Sequence, residues 1–169
     1  EFRRVLFRSG VHDASTAELA VGLAIAARRG FAQFAKDQSV GKWAHTTHAA
    51  LTDSKIAIVG HGNIGKTIAR MLSGFEVQVT SFSKSGTDGA LTMDKFDEQL
   101  SIFDVIILIV PLNAQTRHLI NAARLAKMKD GAALVNVARG AVVDTDALLA
   151  ELNTKRIFAA LDVTDPEPL

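Results

Sequence analysis

The chain has no cysteine among its 169 residues. That absence excludes disulfides, cysteine-ligated zinc and a cysteine nucleophile. Charge of one sign is also missing, because formal net charge is only +1. Three basic residues, Arg3, Arg4 and Arg8, crowd into the first nine positions beside Glu1, and the remainder is close to neutral. Nothing here resembles the basic footprint of a nucleic-acid binder. No apolar run reaches the roughly 18 residues that would span a bilayer. The best candidate, Ala14 to Ala27, is too short and contains Glu18. Neither an internal repeat nor a low-complexity tract is present. No metal-ligand spacing stands out, so no metal is expected.

What remains is ordinary for a globular protein: 48% hydrophobic and 22% charged residues,. Mean hydropathy is +0.18, which suits strands buried on both faces. The length is enough for one domain with a real core. A cytoplasmic enzyme is the expectation. Residues 1–9 (EFRRVLFRS) form a basic and apolar mixture without caps or periodicity. They read as a non-native leader, since no long apolar stretch or cleavage site makes them a signal peptide. The domain then runs over residues 10–169.

Asp13 to Arg29 reads as a helix, capped by Asp13 or Ser15, with Arg28 and Arg29 at its negative end and Gly30 stopping it,. Gly41 to Ser54 reads as a loop. From there strands and helices alternate. The strands are Lys55–Val59, Val77–Phe82, Asp104–Val110, Ala132–Val137 and Ile157–Val163. The helices are Lys66–Leu72, Lys95–Leu100, Asn121–Met128 and Asp144–Leu152, the last capped by Asp144 or Thr145. Alternation with continuous apolar strands such as DVIILIV argues for parallel β-α-β units. The fold class is therefore α/β, a Rossmann-type doubly wound parallel sheet in three α/β/α layers.

Gly60-His61-Gly62-Asn63-Ile64-Gly65 places G-x-G-x-x-G between a strand and a helix. The first glycine permits the tight turn, the second lets the backbone approach a pyrophosphate, and the third lets helix and strand pack closely. The amides of Asn63 and Ile64 fall at the helix N-terminus, where partial positive charge favours phosphate. An acid about 20 residues further on would bind the ribose hydroxyls and repel a 2′-phosphate. That place falls on Ser83, followed by Lys84 and Ser85, with no carboxylate. Hydroxyls and a cation suit the phosphate, so NADP is expected in preference to NAD.

Further blocks are more specific. Val135-Asn136-Val137-Ala138-Arg139-Gly140 precedes Val142-Val143-Asp144 and Ala147-Leu148-Leu149. Val110-Pro111-Leu112-Asn113 precedes Thr116 and Leu119-Ile120. Ala160-Leu161-Asp162-Val163 precedes Glu167-Pro168, and Ser15-Thr16-Ala17-Glu18-Leu19-Ala20 opens the first helix. In this order they resemble the D-2-hydroxyacid dehydrogenase family, from about Gly10 to Leu169. The resemblance implies that Arg139 holds a substrate carboxylate and polarises its carbonyl, for which a guanidinium fork is suited. It implies that Glu167 orients a catalytic histidine. It places Asp162 at the nicotinamide end, Val110 and Pro111 at the adenine side together with Thr116, and Val137 and Ala138 against the cofactor.

The family's catalytic histidine lies beyond the Glu-Pro block in a Pro-His context. His12, His45, His48, His61 and His118 all lie upstream and none has that context. The substrate lobe that precedes the cofactor domain is also outside this chain. The expectation is a fragment that binds cofactor without turnover, taken from an enzyme for a small 2-oxo or 2-hydroxy acid. Formate or phosphoglycerate dehydrogenases are rivals within the family. A dinucleotide-sensing corepressor-like regulator is the alternative. An unrelated Rossmann enzyme holding NAD tightly lacks the Asn-Val-Ala-Arg-Gly block. The small-residue helix at 14–29 is expected to mediate a homodimer, or else to pack on its own sheet.

Overall fold

Residues 13–167 are described by a computed structural model. Residues 1–9, His12 and the end of the Glu-Pro block lie outside them. Five strands, β1 (Lys55–Val59), β2 (Gln78–Phe82), β3 (Val105–Leu108), β4 (Ala133–Asn136) and β5 (Phe158–Leu161), form one sheet. Their order is β2-β1-β3-β4-β5, and every pairing is parallel. Parallel neighbours need crossover connections, which the helices supply.

Each strand alternates its side chains between two cores. Ile56, Ile58, Val105, Ile107, Ala133 and Val135 face helices α1 (Asp13–Arg29) and α3 (Asn63–Leu72), where Ala17, Ala20, Ala24, Ile68 and Leu72 meet them. Ala57, Val59, Ile106, Leu108 and Leu134 face α4 (Met93–Gln99), α5 (Ala122–Lys127) and α6 (Thr145–Asn153) through Phe96, Leu125 and Leu148, with Leu100 added from the turn after α4. β3 and β4 are buried on both faces, which is why β3 is uniformly apolar and β4 is apolar up to its last residue, Asn136. The three-layer expectation holds.

The small side chains of α1 are spent inside the domain. Ala17, Ala20 and Ala24 are fully buried and let α1 lie close to α3 and the sheet. These alanines thus pack on their own sheet, while Leu19 is exposed and a Cβ on Gly22 would meet nothing.

Several expected bounds move. α3 begins at Asn63 rather than Lys66, because Gly62 already serves as its N-cap. β1 keeps its expected bounds, and the other four strands are trimmed by one to three residues. Asn121 lies just outside α5 and caps it, its side chain accepting from the Arg124 amide. Asp144 does the same for α6 through the Ala147 amide, resolving the choice with Thr145. A further helix, α2 (Phe31–Ser39), follows Gly30 directly. Gly30 has φ 67°, so it ends α1 in the left-handed conformation, and the chain then starts a new helix,.

Candidate functional site

The chain leaves β1 toward β2 on one side and later returns to β3 on the other. At such a switch point the loops beyond the strand ends diverge and leave a crevice. Two connected lobes occupy it here. The larger, about 760 Å³, is lined by Gly62, Asn63, Ile64, Val137, Arg139 and Asp162, among others. The smaller, about 380 Å³, is lined by Gly60, His61, Ser83, Lys84 and Thr116, among others. Gly62, Ile109, Val110 and Pro111 border both.

The three glycines of the turn differ in what surrounds them. Gly60 has φ 123°, and a Cβ there would stand 2.1 Å from the Ile109 carbonyl oxygen. A Cβ on Gly65 would stand 2.0 Å from the Gly60 carbonyl oxygen. Both positions are closed to any side chain. Gly62 instead has nothing within 4 Å of such an atom, and its missing side chain leaves room in the cleft. No side chain caps α3 at Gly62, so the helix presents backbone N–H groups and the positive end of its dipole to the crevice. Such a terminus offers donors suited to an anion.

The opposite wall depends on Asn136, whose side chain is 1% exposed at the end of β4. Its Oδ1 accepts from the Ala138 amide at 3.0 Å, and its Nδ2 donates to the Arg139 carbonyl at 3.0 Å. These bonds shape the turn that carries Arg139. Gly140 completes it, because a Cβ there would lie 1.9 Å from the Thr164 carbonyl oxygen. The close approach draws the segment after β5 against the turn. As a result exposed Arg139 and exposed Asp162 line one lobe. The Arg139 Nη1 donates to the Ala138 carbonyl at 2.6 Å.

The structure therefore gathers Gly60, Gly62, Asn63, Ile64, Gly65, Ser83, Lys84, Val110, Pro111, Thr116, Val137, Ala138, Arg139 and Asp162 around one crevice. Thr116 also closes its own turn, donating from Oγ1 to the Pro111 carbonyl at 2.6 Å. Glu167 is not among the lining residues. Its Oε1 accepts from the Thr164 amide at 3.1 Å.

Four residues were not singled out from the sequence. Asn136 was visible only as part of a block. Asp13 and Thr16, at the start of α1, line the larger lobe. Asp88 sits six residues beyond β2 and returns to the glycine turn. Its carboxylate pairs with Lys66, and its carbonyl accepts from His61 Nε2 at 2.8 Å. The hydrogen bond from Lys66 holds the Asp88 carboxyl below the usual carboxylate range. Among the described residues no group of three or more histidines and acids is placed to hold a metal.

A family model described as D-isomer specific 2-hydroxyacid dehydrogenase, NAD binding domain, matches residues 21–169. A hydroxypyruvate reductase of Thermotoga maritima is 36% identical over 170 residues, covering 98% of this chain and 56% of that protein. The structure of a Staphylococcus aureus NAD-dependent formate dehydrogenase in complex with NAD superposes with a TM-score of 0.85. It is 31% identical and covers 94% of this chain and 50% of that one. A D-isomer specific 2-hydroxyacid dehydrogenase from Xanthobacter autotrophicus Py2, in complex with NADPH and MES, gives 0.83 at 30% identity, with 95% and 53% covered. The chain spans about half the length of the relatives it matches.

Proposed function

The chain belongs to the D-isomer-specific 2-hydroxyacid dehydrogenases and supplies their NAD-binding domain, and from that premise we propose that the complete protein interconverts a small 2-oxo acid and its 2-hydroxy acid. The observation that carries the reading is the continuous crevice joining the open Gly62 cradle to Arg139 and Asp162. A bound nicotinamide dinucleotide supplies or accepts the hydride there. The residues of this chain bind and orient it. The α3 N-terminus and the Gly62 opening receive the pyrophosphate. Val110, Pro111 and Thr116 flank the adenosine half, Val137 and Ala138 the nicotinamide half, and Asp162 its end. The Arg139 guanidinium fixes the substrate carboxylate and polarises the carbonyl, offering paired donors in a fixed plane. Glu167 orients a histidine and must first release the Thr164 amide.

Ser83 and Lys84 favour NADP over NAD in this reading. Their support is chemical: an ammonium and a hydroxyl beside the adenosine lobe, with no acid at the end of β2. Lys84 is exposed and free to meet a phosphate. The homodimer is proposed through the outward face of α1, where Leu19 is exposed and Gly22 meets nothing. Its buried face is already engaged. No described helix is long and apolar enough to cross a membrane, and a cytoplasmic setting is proposed with that. The relatives named above are reductases and dehydrogenases, which leaves the regulator reading without support.

Titrating the chain with NADPH and with NADH, followed by nicotinamide fluorescence, tests both levels. Tighter NADPH binding, with the preference lost in Lys84→Ala, supports the 2′-phosphate reading. Equal or tighter NADH binding keeps the domain assignment and overturns the role of Lys84. No binding of either overturns the cleft.

A further inference from the structure

The loop between β2 and α4 is tightly built and folds back over the glycine turn. Gly86, Asp88 and Gly89 all have positive φ, at 62°, 58° and 83°. Three left-handed residues within four reverse the chain sharply. Ser83 Oγ accepts from the Gly86 amide at 3.1 Å, and Phe82 pairs with Leu91 across the loop base. The reversal delivers Asp88 to two groups of the dinucleotide cradle at once. Its carbonyl accepts from His61, the second residue of the turn, and its carboxylate meets Lys66 in the first turns of α3. His61 lines the same lobe as Ser83 and Lys84. Neither Lys66 nor Asp88 lines that lobe, and the pair is linked to it through His61.

We propose that Asp88 is a specificity-determining residue: it occupies the Lys66 ammonium and withholds it from the 2′-phosphate of an NADP-type cofactor. The inference rests on the dinucleotide reading above and refines it. Among the described residues that line the lobe, Lys84 is the one lysine or arginine, while Lys66, outside that lining, is held by the Asp88 carboxylate. The pair is exposed, with side-chain accessibilities of 49% and 68%, and exposed pairs are weak. A phosphate carries more charge and more acceptor oxygens than a carboxylate, so it competes for Lys66 at a cost set by Asp88. The flexible stem of lysine allows the ammonium to turn from one anion to the other.

Asp88→Asn tests this without straining the backbone, because asparagine tolerates left-handed φ. The whole chain is titrated with NADPH and NADH in four forms: unaltered, Asp88→Asn, Lys66→Met, and the double variant. Asp88→Asn is expected to tighten NADPH by about two- to fivefold, the scale of one freed charge contact at an exposed site, while leaving NADH unchanged. In the Lys66→Met background the same substitution is expected to bring no gain. An unchanged NADPH:NADH ratio in Asp88→Asn overturns the proposal. So does a gain that persists without Lys66, since simple repulsion by Asp88 would then suffice. Both results leave cofactor binding itself intact. Failure of the unaltered chain to bind either nucleotide would instead defeat the dinucleotide reading on which the proposal stands.

Discussion

Replacing Asn136 by alanine removes both hydrogen bonds that shape the Arg139 turn. The side chain is almost fully buried, and so is Ala138, whose amide it receives. The truncation leaves that N–H without its partner in a place water does not reach. A lost intramolecular hydrogen bond costs on the order of 1 kcal/mol net, and a buried donor left unsatisfied costs about 1–3 kcal/mol. The Arg139 carbonyl loses less, since Arg139 is exposed and water can replace the Asn136 donor. The combined expectation is about 2–4 kcal/mol. For a chain of this length each kcal/mol lowers Tm by about 2–4 °C, so a fall of roughly 5–15 °C is expected.

Thermal unfolding followed by circular dichroism reads this directly. Asn136→Asp serves as a second probe. It keeps an acceptor for the Ala138 amide and sets a second carboxylate oxygen against the Arg139 carbonyl oxygen. At neutral pH it is therefore expected to destabilise as well. NADH affinity should fall with either variant, because Val137, Ala138 and Arg139 wall the larger lobe. A Tm within about 2 °C of the unaltered chain for Asn136→Ala would refute the reasoning, since that corresponds to under about 1 kcal/mol. Asn136 would then merely fill space and the turn would hold by packing alone.

Three further outcomes are expected. Gly62→Ala should keep Tm, because φ is −77° and a Cβ there meets nothing, yet weaken NADH by at least about tenfold by filling the cradle,. Gly65→Ala should destabilise the fold itself, because its Cβ would stand 2.0 Å from the Gly60 carbonyl oxygen; equal Tm values for the two glycine variants would contradict the division of roles. The Arg124 hydrogen bonds hold the Asp97 carboxyl below its ordinary value, against partial desolvation. The stability this brings is present above the unfolded aspartate pKa of about 3.9 and is lost as pH falls through the lower folded value. The Tm advantage over Asp97→Asn should therefore shrink below about pH 4, and an advantage that stays constant to pH 2 would contradict the pairing.

The parts of this fold legible in sequence are those whose causes are local. β3 reads as a strand because both faces are buried and every residue must be apolar. The glycine turn reads as a phosphate cradle because the demands on three positions are written in one residue type. α3 was expected three residues late because Gly62 and Asn63 look like turn residues until the turn itself becomes the helix cap. α2 was missed because Gly30 reads as the end of a helix; Phe31, Phe34 and Ala35 do fall at helical spacing, yet none of its residues is buried,.

The acid test for the cofactor takes in only part of the local charge. Reading the end of β2 finds Ser83 and no carboxylate, which argues for a 2′-phosphate. That rule assumes an extended exit from the strand. Here the exit turns back through Gly86, Asp88 and Gly89, so a carboxylate six residues later returns to the glycine turn from the other side. Its charge is already matched by Lys66, a residue the same rule ignores. Counting charges by sequence position gives one free cation at the adenosine end. Counting them in space adds Lys66 and Asp88, already paired with each other and linked to the lobe through His61. On the proposal made above for Asp88, cofactor preference turns on a competition between two anions for Lys66 as well as on the presence or absence of an acid at one position.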